Sequence, residues 1–182
     1  MLYSLILACT IDGGIGNNNQ IPWNIQEDMK LFKKITTDVN CYVKKNAVIM
    51  GRNTWESLPQ KPLKDRINII ITSKPSLIQQ KNNEIYSFDD FNQALVFCND
   101  NIYVDKVFVI GGKSLYDLCL NDNKFSKKID CIHLSIIKEK AICDTKIDLK
   151  KILKTYRNYN IHEIIFNSKF IYIKLIARTF GL

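Results

Sequence analysis

A chain of 182 residues, 46% hydrophobic and 24% charged, is long enough to bury one core without staples and too apolar to stay disordered. No apolar run approaches the roughly 20 residues of a membrane-spanning helix. The formal net charge of +8 favours an anionic ligand, yet the lysines are dispersed, in pairs at 33–34, 44–45, 127–128 and 150–151, so no nucleic acid is required.

Residues 2–9 are almost continuously apolar, as in a strand covered on both faces. No basic segment or cleavage site precedes them, so no signal peptide or membrane role is expected and the cytoplasm is the expected location. TIDGGIGNNNQIPW, rich in Gly and Asn, reads as a mobile loop, followed by a helix through residues 25–36 with Asn24 as its cap. NAVIM (46–50) reads as a strand leading through Gly51 into a short helix, RNTWESL, stopped by Pro59. INIIITS (67–73) and IYSF (85–88) read as further strands, DDFNQALVFC (89–98) as a helix capped by Asp89, and KVFVI (106–110) as a strand running through Gly111-Gly112 into the helix KSLYDLCL. The alternation indicates parallel pairing with helices over the sheet. In the last third, IDCIHLSII (129–137) is a strand, and NIHEIIFN and FIYIKLIAR flank Asn167-Ser168-Lys169 as an antiparallel hairpin. The expected architecture is a single α/β domain over 1–182, with a mixed, mostly parallel sheet.

One carboxylate stands out. On a helical wheel Ile25, Met29, Phe32, Ile35 and, at the margin, Leu31 share a face, while Gln26, Lys30, Lys33 and Lys34 take the other. Asp28 falls inside the apolar arc, with no Lys or Arg beside it. A buried carboxylate must be neutralised, paired or hydrogen-bonded, so its partner comes from elsewhere in the fold or from a ligand. As an ordinary first-turn acid it would suit the helix dipole, a role Glu27 fills better.

Two strand–Gly–helix junctions, VIM-Gly51-RNTW and VFVI-Gly111-Gly112-KSLY, offer close backbone approach and free N–H groups to a nucleotide-type anion. Neither GGKS at 111–114 nor GGIG at 13–16 has the spacing of a P-loop or of a dinucleotide fingerprint. The six cysteines (Cys9, Cys41, Cys98, Cys119, Cys131 and Cys143) include no C-x-x-C pair and read as reduced, packed thiols. With only two histidines beside them they show no metal-ligand spacing. His133 and His162 form no Ser–His–Asp set. Trp23 and Trp55 read first as core residues, with a pocket wall as the alternative for Trp23, between the loop and the Asp28 helix.

Taken together, ILACTIDGGIG, Ile21-Pro22-Trp23, an acid five residues beyond it, VIMGRNTWESLP, PLKDRINIIITS, VFVIGGKSLY and HLSII before CDT (143–145) resemble dihydrofolate reductase through nearly the whole chain, in order. The resemblance implies an eight-stranded mixed sheet flanked by helices with a C-terminal antiparallel hairpin, NADPH as cofactor, 7,8-dihydrofolate as substrate, and antifolate inhibitors. It implies that Asp28, with Trp23 and Ser135, forms the catalytic centre. Asp28 would hold the pterin 2-amino group and N3, and Ile6, Leu7, Ala8, Met29, Phe32, Leu58, Leu63 and Ile110 would wall the substrate. Arg66 would pair with the α-carboxylate of the glutamate tail.

By the same resemblance Ala8, Ile15, Gly16 and Ile110 would border the nicotinamide. Gly51, Arg52, Asn53, Thr54, Ile71, Thr72 and Ser73 would serve the phosphate side, and Gly111, Gly112, Lys113, Ser114, Leu115 and Tyr116 the middle of the cofactor. Residues 10–24 would form a lid. A monomer is expected, with no fused thymidylate synthase before the chain ends at Leu182. Four positions depart from the family pattern. Ser135 stands where threonine is usual, Met29 where Leu or Phe is usual, Asp65 where glycine is common, and Ser73 where some members offer arginine. Another pteridine or pyrimidine reductase on the same fold, such as those of the riboflavin pathway, would not be expected to keep Trp23, Asp28 and Arg66 together. A nucleic-acid module would instead show salt-sensitive retention without turnover.

Overall fold

The apolar runs become the sheet. In a computed structural model, which describes residues 1–78, 84–155 and 159–178, β1 spans Tyr3–Thr10, β3 Lys45–Gly51, β4 Arg66–Ile71, β5 Ile85–Phe88, β6 Val104–Val109 and β7 Ile129–Ile137. The C-terminal hairpin is β9 (Tyr159–Phe166) and β10 (Phe170–Ala177). These eight strands form one sheet in the order β5-β4-β3-β6-β1-β7-β10-β9. Pairing is parallel from β5 to β7, and antiparallel from β7 through β10 to β9. The expected mixed sheet with an antiparallel end is the one observed.

Helices cover both faces. Tyr3, Leu5, Leu7 and Cys9 of β1 pack into the larger cluster, with α3 (Phe91–Asp100) and α4 (Lys113–Asn121). Ile6 and Ala8 point to the opposite face, where α1 (Gln26–Thr37) and α2 (Arg52–Ser57) contribute Leu31, Phe32, Ile35 and Trp55.

Local chemistry moves three of the expected boundaries. The cap of α1 is Ile25, in extended conformation and without a side-chain hydrogen bond, rather than Asn24. Asp90, not Asp89, caps α3, its carboxylate accepting from the Gln93 N–H at 3.0 Å. The loop after β1 carries regular structure that its Gly and Asn content does not suggest. It contains β2 (Gly14–Gly16), paired antiparallel with β8 (Thr145–Lys146), and a turn through Asn18 and Asn19, both at positive φ. Two further short helices, α5 (Asn123–Ser126) and α6 (Leu149–Thr155), complete the elements named here.

Candidate active site

Helix α1 opens with two acids, as its dipole favours. They part ways at once. Glu27 is exposed and faces Lys169 at 3.6 Å, whereas Asp28 is half-buried against the sheet. Burial pushes the Asp28 carboxyl above its ordinary range, and the Ser135 hydroxyl pulls it back down. Ser135 is held there by the register of β7, with Ala8 of β1 on one side and Tyr172 of β10 on the other. Asp28 forms no ion pair among the described residues. The site therefore presents an unneutralised acid with one hydroxyl partner, on the face where the Ile6 cluster adjoins that of Ala8, Trp23 and Tyr172. Such an acid accepts hydrogen bonds from a ligand's N–H groups and favours a cation or a protonated ring.

Farther along the same helix, residues 28, 32 and 36 lie in an i, i+4, i+8 row. Phe32 packs with Leu58, Leu63 and Ile110 against the Ile6 cluster. Thr36 is fully buried, and its hydroxyl accepts from Arg66 Nη1 at 2.8 Å. Arg66, 4% exposed, donates through Nε to the Lys64 carbonyl at 2.9 Å, and its guanidinium lies 5.9 Å from the Phe32 ring. Burial lowers the pKa of the Arg66 guanidinium, while the Asp65 charge raises it. Asp65 makes no ion pair with Arg66 among the described residues. Its φ of +63° is the left-handed conformation that glycine adopts more easily. A buried guanidinium held at two donors and without an ion pair among the described residues is built to receive a carboxylate.

Because β3 and β6 are sheet neighbours, the two glycine junctions lie side by side. Gly51 N–H donates to the Gly111 carbonyl at 2.7 Å. Gly111 has φ +109°, and a Cβ there would meet the Tyr116 ring at 3.0 Å; at Gly112 it would meet Thr54 Oγ1 at 3.1 Å. Backbone alone can line this cradle. The helices it opens, α2 and α4, have no side-chain cap, whereas Asp90 and Asp122 cap α3 and α5. Uncapped N–H groups beside exposed Arg52, Lys113 and Ser114 fit the phosphates of a dinucleotide. Arg52 Nε is paired with Glu56 at 2.6 Å and Lys113 with Asp117 at 2.9 Å, both exposed. Ile71 ends β4 alongside Gly51, and buried Thr72 and exposed Ser73 follow it.

The loop over this end of the sheet is tied down by distant residues. Asn18 N–H donates to Asp144 Oδ2 at 2.7 Å, and Asp144 N–H to the Gly16 carbonyl at 3.1 Å. The Asn18 amide lowers the Asp144 pKa. Lys146 pairs with Asp12, and this bond with that from Thr10 holds the Asp12 carboxyl near 2. At its tip, Asn19 Oδ1 accepts from Asn53 Nδ2 at 3.4 Å.

Some expected residues sit elsewhere. Leu7 cannot wall the Asp28 pocket with its side chain, which alternation sends into the opposite core. Leu115 and Tyr116 are likewise buried in that core, and Ile15 and Ile71 pack against it. Tyr116 still reaches the site: its ring backs the Gly111 side of the cradle, and its hydroxyl donates to the Ile6 carbonyl at 2.8 Å. Met29, placed on the apolar face by the wheel, is 55% exposed. Thr36, Tyr172 and Asp144 are site neighbours that sequence reasoning missed. For Thr36 the signal was available, one turn beyond Phe32 on the row that starts at Asp28.

Comparison with known proteins converges on one family. The family described as dihydrofolate reductase matches residues 2–167. The dihydrofolate reductase of Schistosoma mansoni is 38% identical over 163 residues, covering 85% of this chain and 83% of the relative. That of Pneumocystis carinii is 35% identical over 158 residues, covering 81% and 74%. The bifunctional dihydrofolate reductase-thymidylate synthase of Daucus carota is 37% identical over 152 residues, covering 81% of this chain but 28% of the relative. The chain thus spans less than a third of the bifunctional relative.

Proposed function

The chain belongs to the dihydrofolate reductase family, and from that premise we propose that it reduces 7,8-dihydrofolate to 5,6,7,8-tetrahydrofolate with NADPH. The observation that carries this reading is Asp28. Its carboxylate is raised by burial, unpaired by any cation among the described residues, and set beside Ser135 on an apolar face. A pterin supplies what that carboxylate lacks, two N–H donors from its 2-amino group and N3. Ser135 holds the carboxylate in place, while Ile6, Ala8, Phe32 and Trp23 shape an apolar slot for the ring. Arg66 receives the carboxylate at the far end of the substrate. The Gly51 and Gly111-Gly112 backbone, with Thr54, Arg52 and Ser114, holds the cofactor's phosphates.

NADPH, when bound, supplies the hydride that reaches pterin C6. The protein's part is alignment and electrostatics. The negative charge of Asp28 favours protonation of the ring at N5, and the loop anchored through Asp144 and Lys146 excludes bulk water above it. Antifolates that mimic a protonated pterin would compete at Asp28, and the whole site is built within one copy of the chain.

The test is loss of the near-ultraviolet absorbance of NADPH. Oxidation should require dihydrofolate and stop with a methotrexate-like antifolate. Oxidation that ignores the pterin, or none at all, removes the assignment.

A further inference from the structure

Arg66 is aimed by its neighbours. A guanidinium has five N–H donors in a plane. Two are committed inside the protein, Nε to the Lys64 carbonyl at 2.9 Å and one of Nη1 to Thr36 Oγ1 at 2.8 Å. Those two points fix the plane of the group, and Phe32, 5.9 Å from Cζ, limits its tilt from one side. The remaining donors sit on Nη1 and Nη2, the end-on fork that a carboxylate takes in bidentate fashion.

The Thr36 hydroxyl has no freedom to act otherwise. Its own proton goes to the Phe32 carbonyl at 2.8 Å, so it meets Arg66 as an acceptor. Its backbone is pinned as well. Buried Asn46 donates through Nδ2 to the Thr36 carbonyl at 3.1 Å and to the Asp38 carbonyl at 2.9 Å, while its Oδ1 accepts from the Lys106 N–H at 3.1 Å. The last turn of α1 is thereby fastened to β3 and β6, and the arginine to that turn.

We propose that Thr36, pinned by Asn46, is a positioning residue that aims the Arg66 fork and so sets the selectivity for substrates ending in a carboxylate. This rests on the proposed reduction of dihydrofolate. Thr36 touches no substrate; it acts through Arg66.

The experiment compares two substrates, dihydrofolate and 6-methyl-7,8-dihydropterin, which lacks the tail and its carboxylate. Thr36→Val keeps the shape and removes the acceptor. Losing a hydrogen bond to a charged group is expected to raise the dihydrofolate KM by about tenfold or more, with kcat little changed. Turnover of the methyl dihydropterin should stay at the wild-type level, and Thr36→Ser should restore the dihydrofolate KM. If Thr36→Val does not fold, Thr36→Cys, with a weaker acceptor, must show the same split. Equal losses on both substrates make Thr36 a structural residue and overturn the proposal, as does an unchanged dihydrofolate KM. Absence of wild-type turnover with dihydrofolate is read before any variant; it overturns the functional reading itself, and this proposal with it.

Discussion

His133 provides a quantitative test of how the sheet beneath the site is held. It lies two residues before Ser135 on β7 and is buried, with Nδ1 2.7 Å from the Tyr172 hydroxyl and Nε2 3.4 Å from Cys131 Sγ. Burial, then the nearby charges of Lys174 and Lys106, lower its pKa from 6.5 to about 4. In that window the unfolded chain binds a proton at His133 that the folded chain refuses, so stability rises with pH from about 4 to about 6.5. At ~1.4 kcal/mol per tenfold change in proton affinity, the contribution lost on acidification is about 3 kcal/mol. His133→Asn keeps a polar atom where Nδ1 meets Tyr172 and removes the titration. Urea unfolding followed by tryptophan fluorescence at several pH values should show the wild type losing about 3 kcal/mol more than the variant as pH falls through this window. Subtraction cancels the carboxylates common to both proteins. Parallel stability curves would refute the reasoning, since they would mean that His133 takes up its proton inside the fold.

Other predictions address the site. Asp28→Asn keeps shape and one acceptor but removes the charge; hydride transfer in single turnover should be poor at neutral pH and recover as pH falls and solution protonates the substrate. Wild-type speed at neutral pH would take Asp28 out of the mechanism. Arg66→Lys, unable to reproduce the fork or the bonds to Thr36 and Lys64, should weaken dihydrofolate binding by about tenfold or more and leave NADPH affinity nearly unchanged; titration calorimetry with each ligand separates the two. Arg52→Ala should reduce the preference for NADPH over NADH, while thermal stability hardly moves because its pair with Glu56 is exposed. An unchanged cofactor ratio would shift the 2′-phosphate contact to Thr72 or Lys74.

The strands were legible because apolar runs such as INIII and VFVI are rich in β-branched residues and have strand length, and their alternation with helices implied parallel neighbours. Legibility failed where the deciding partner is far away in sequence. Gly14–Gly16 becomes a strand only because residues 145–146 arrive beside it, and Asp144 ties it across a separation of 126 residues from Asn18. Leu7 was named through the family resemblance, and only the structure shows its side chain turning into the other core. In a strand apolar on both faces, hydropathy cannot say which parity looks toward α1. The wheel placed Asp28 and Phe32 on the sheet side but overreached at Met29, since a wheel gives direction and not the extent of what packs there. Arg66 could be named as a carboxylate ligand, but not the Thr36 hydroxyl that orients it, because that bond joins a helix to a strand 30 residues on.

The row of residues 28, 32 and 36 on α1 is also a gauge. At ~1.5 Å of rise per residue, its two ends stand about 12 Å apart along a rod whose length is set by peptide geometry and not by side-chain adjustment. A substrate caught at the acid end carries its distal group to the arginine end on a tether, so the second contact forms at high effective concentration. Molecules of the wrong span gain nothing from the second anchor, however good its chemistry. A one-residue insertion between 28 and 36 would lengthen the rod by only about 1.5 Å but swing its far end through about 100°, uncoupling the two anchors while leaving each intact.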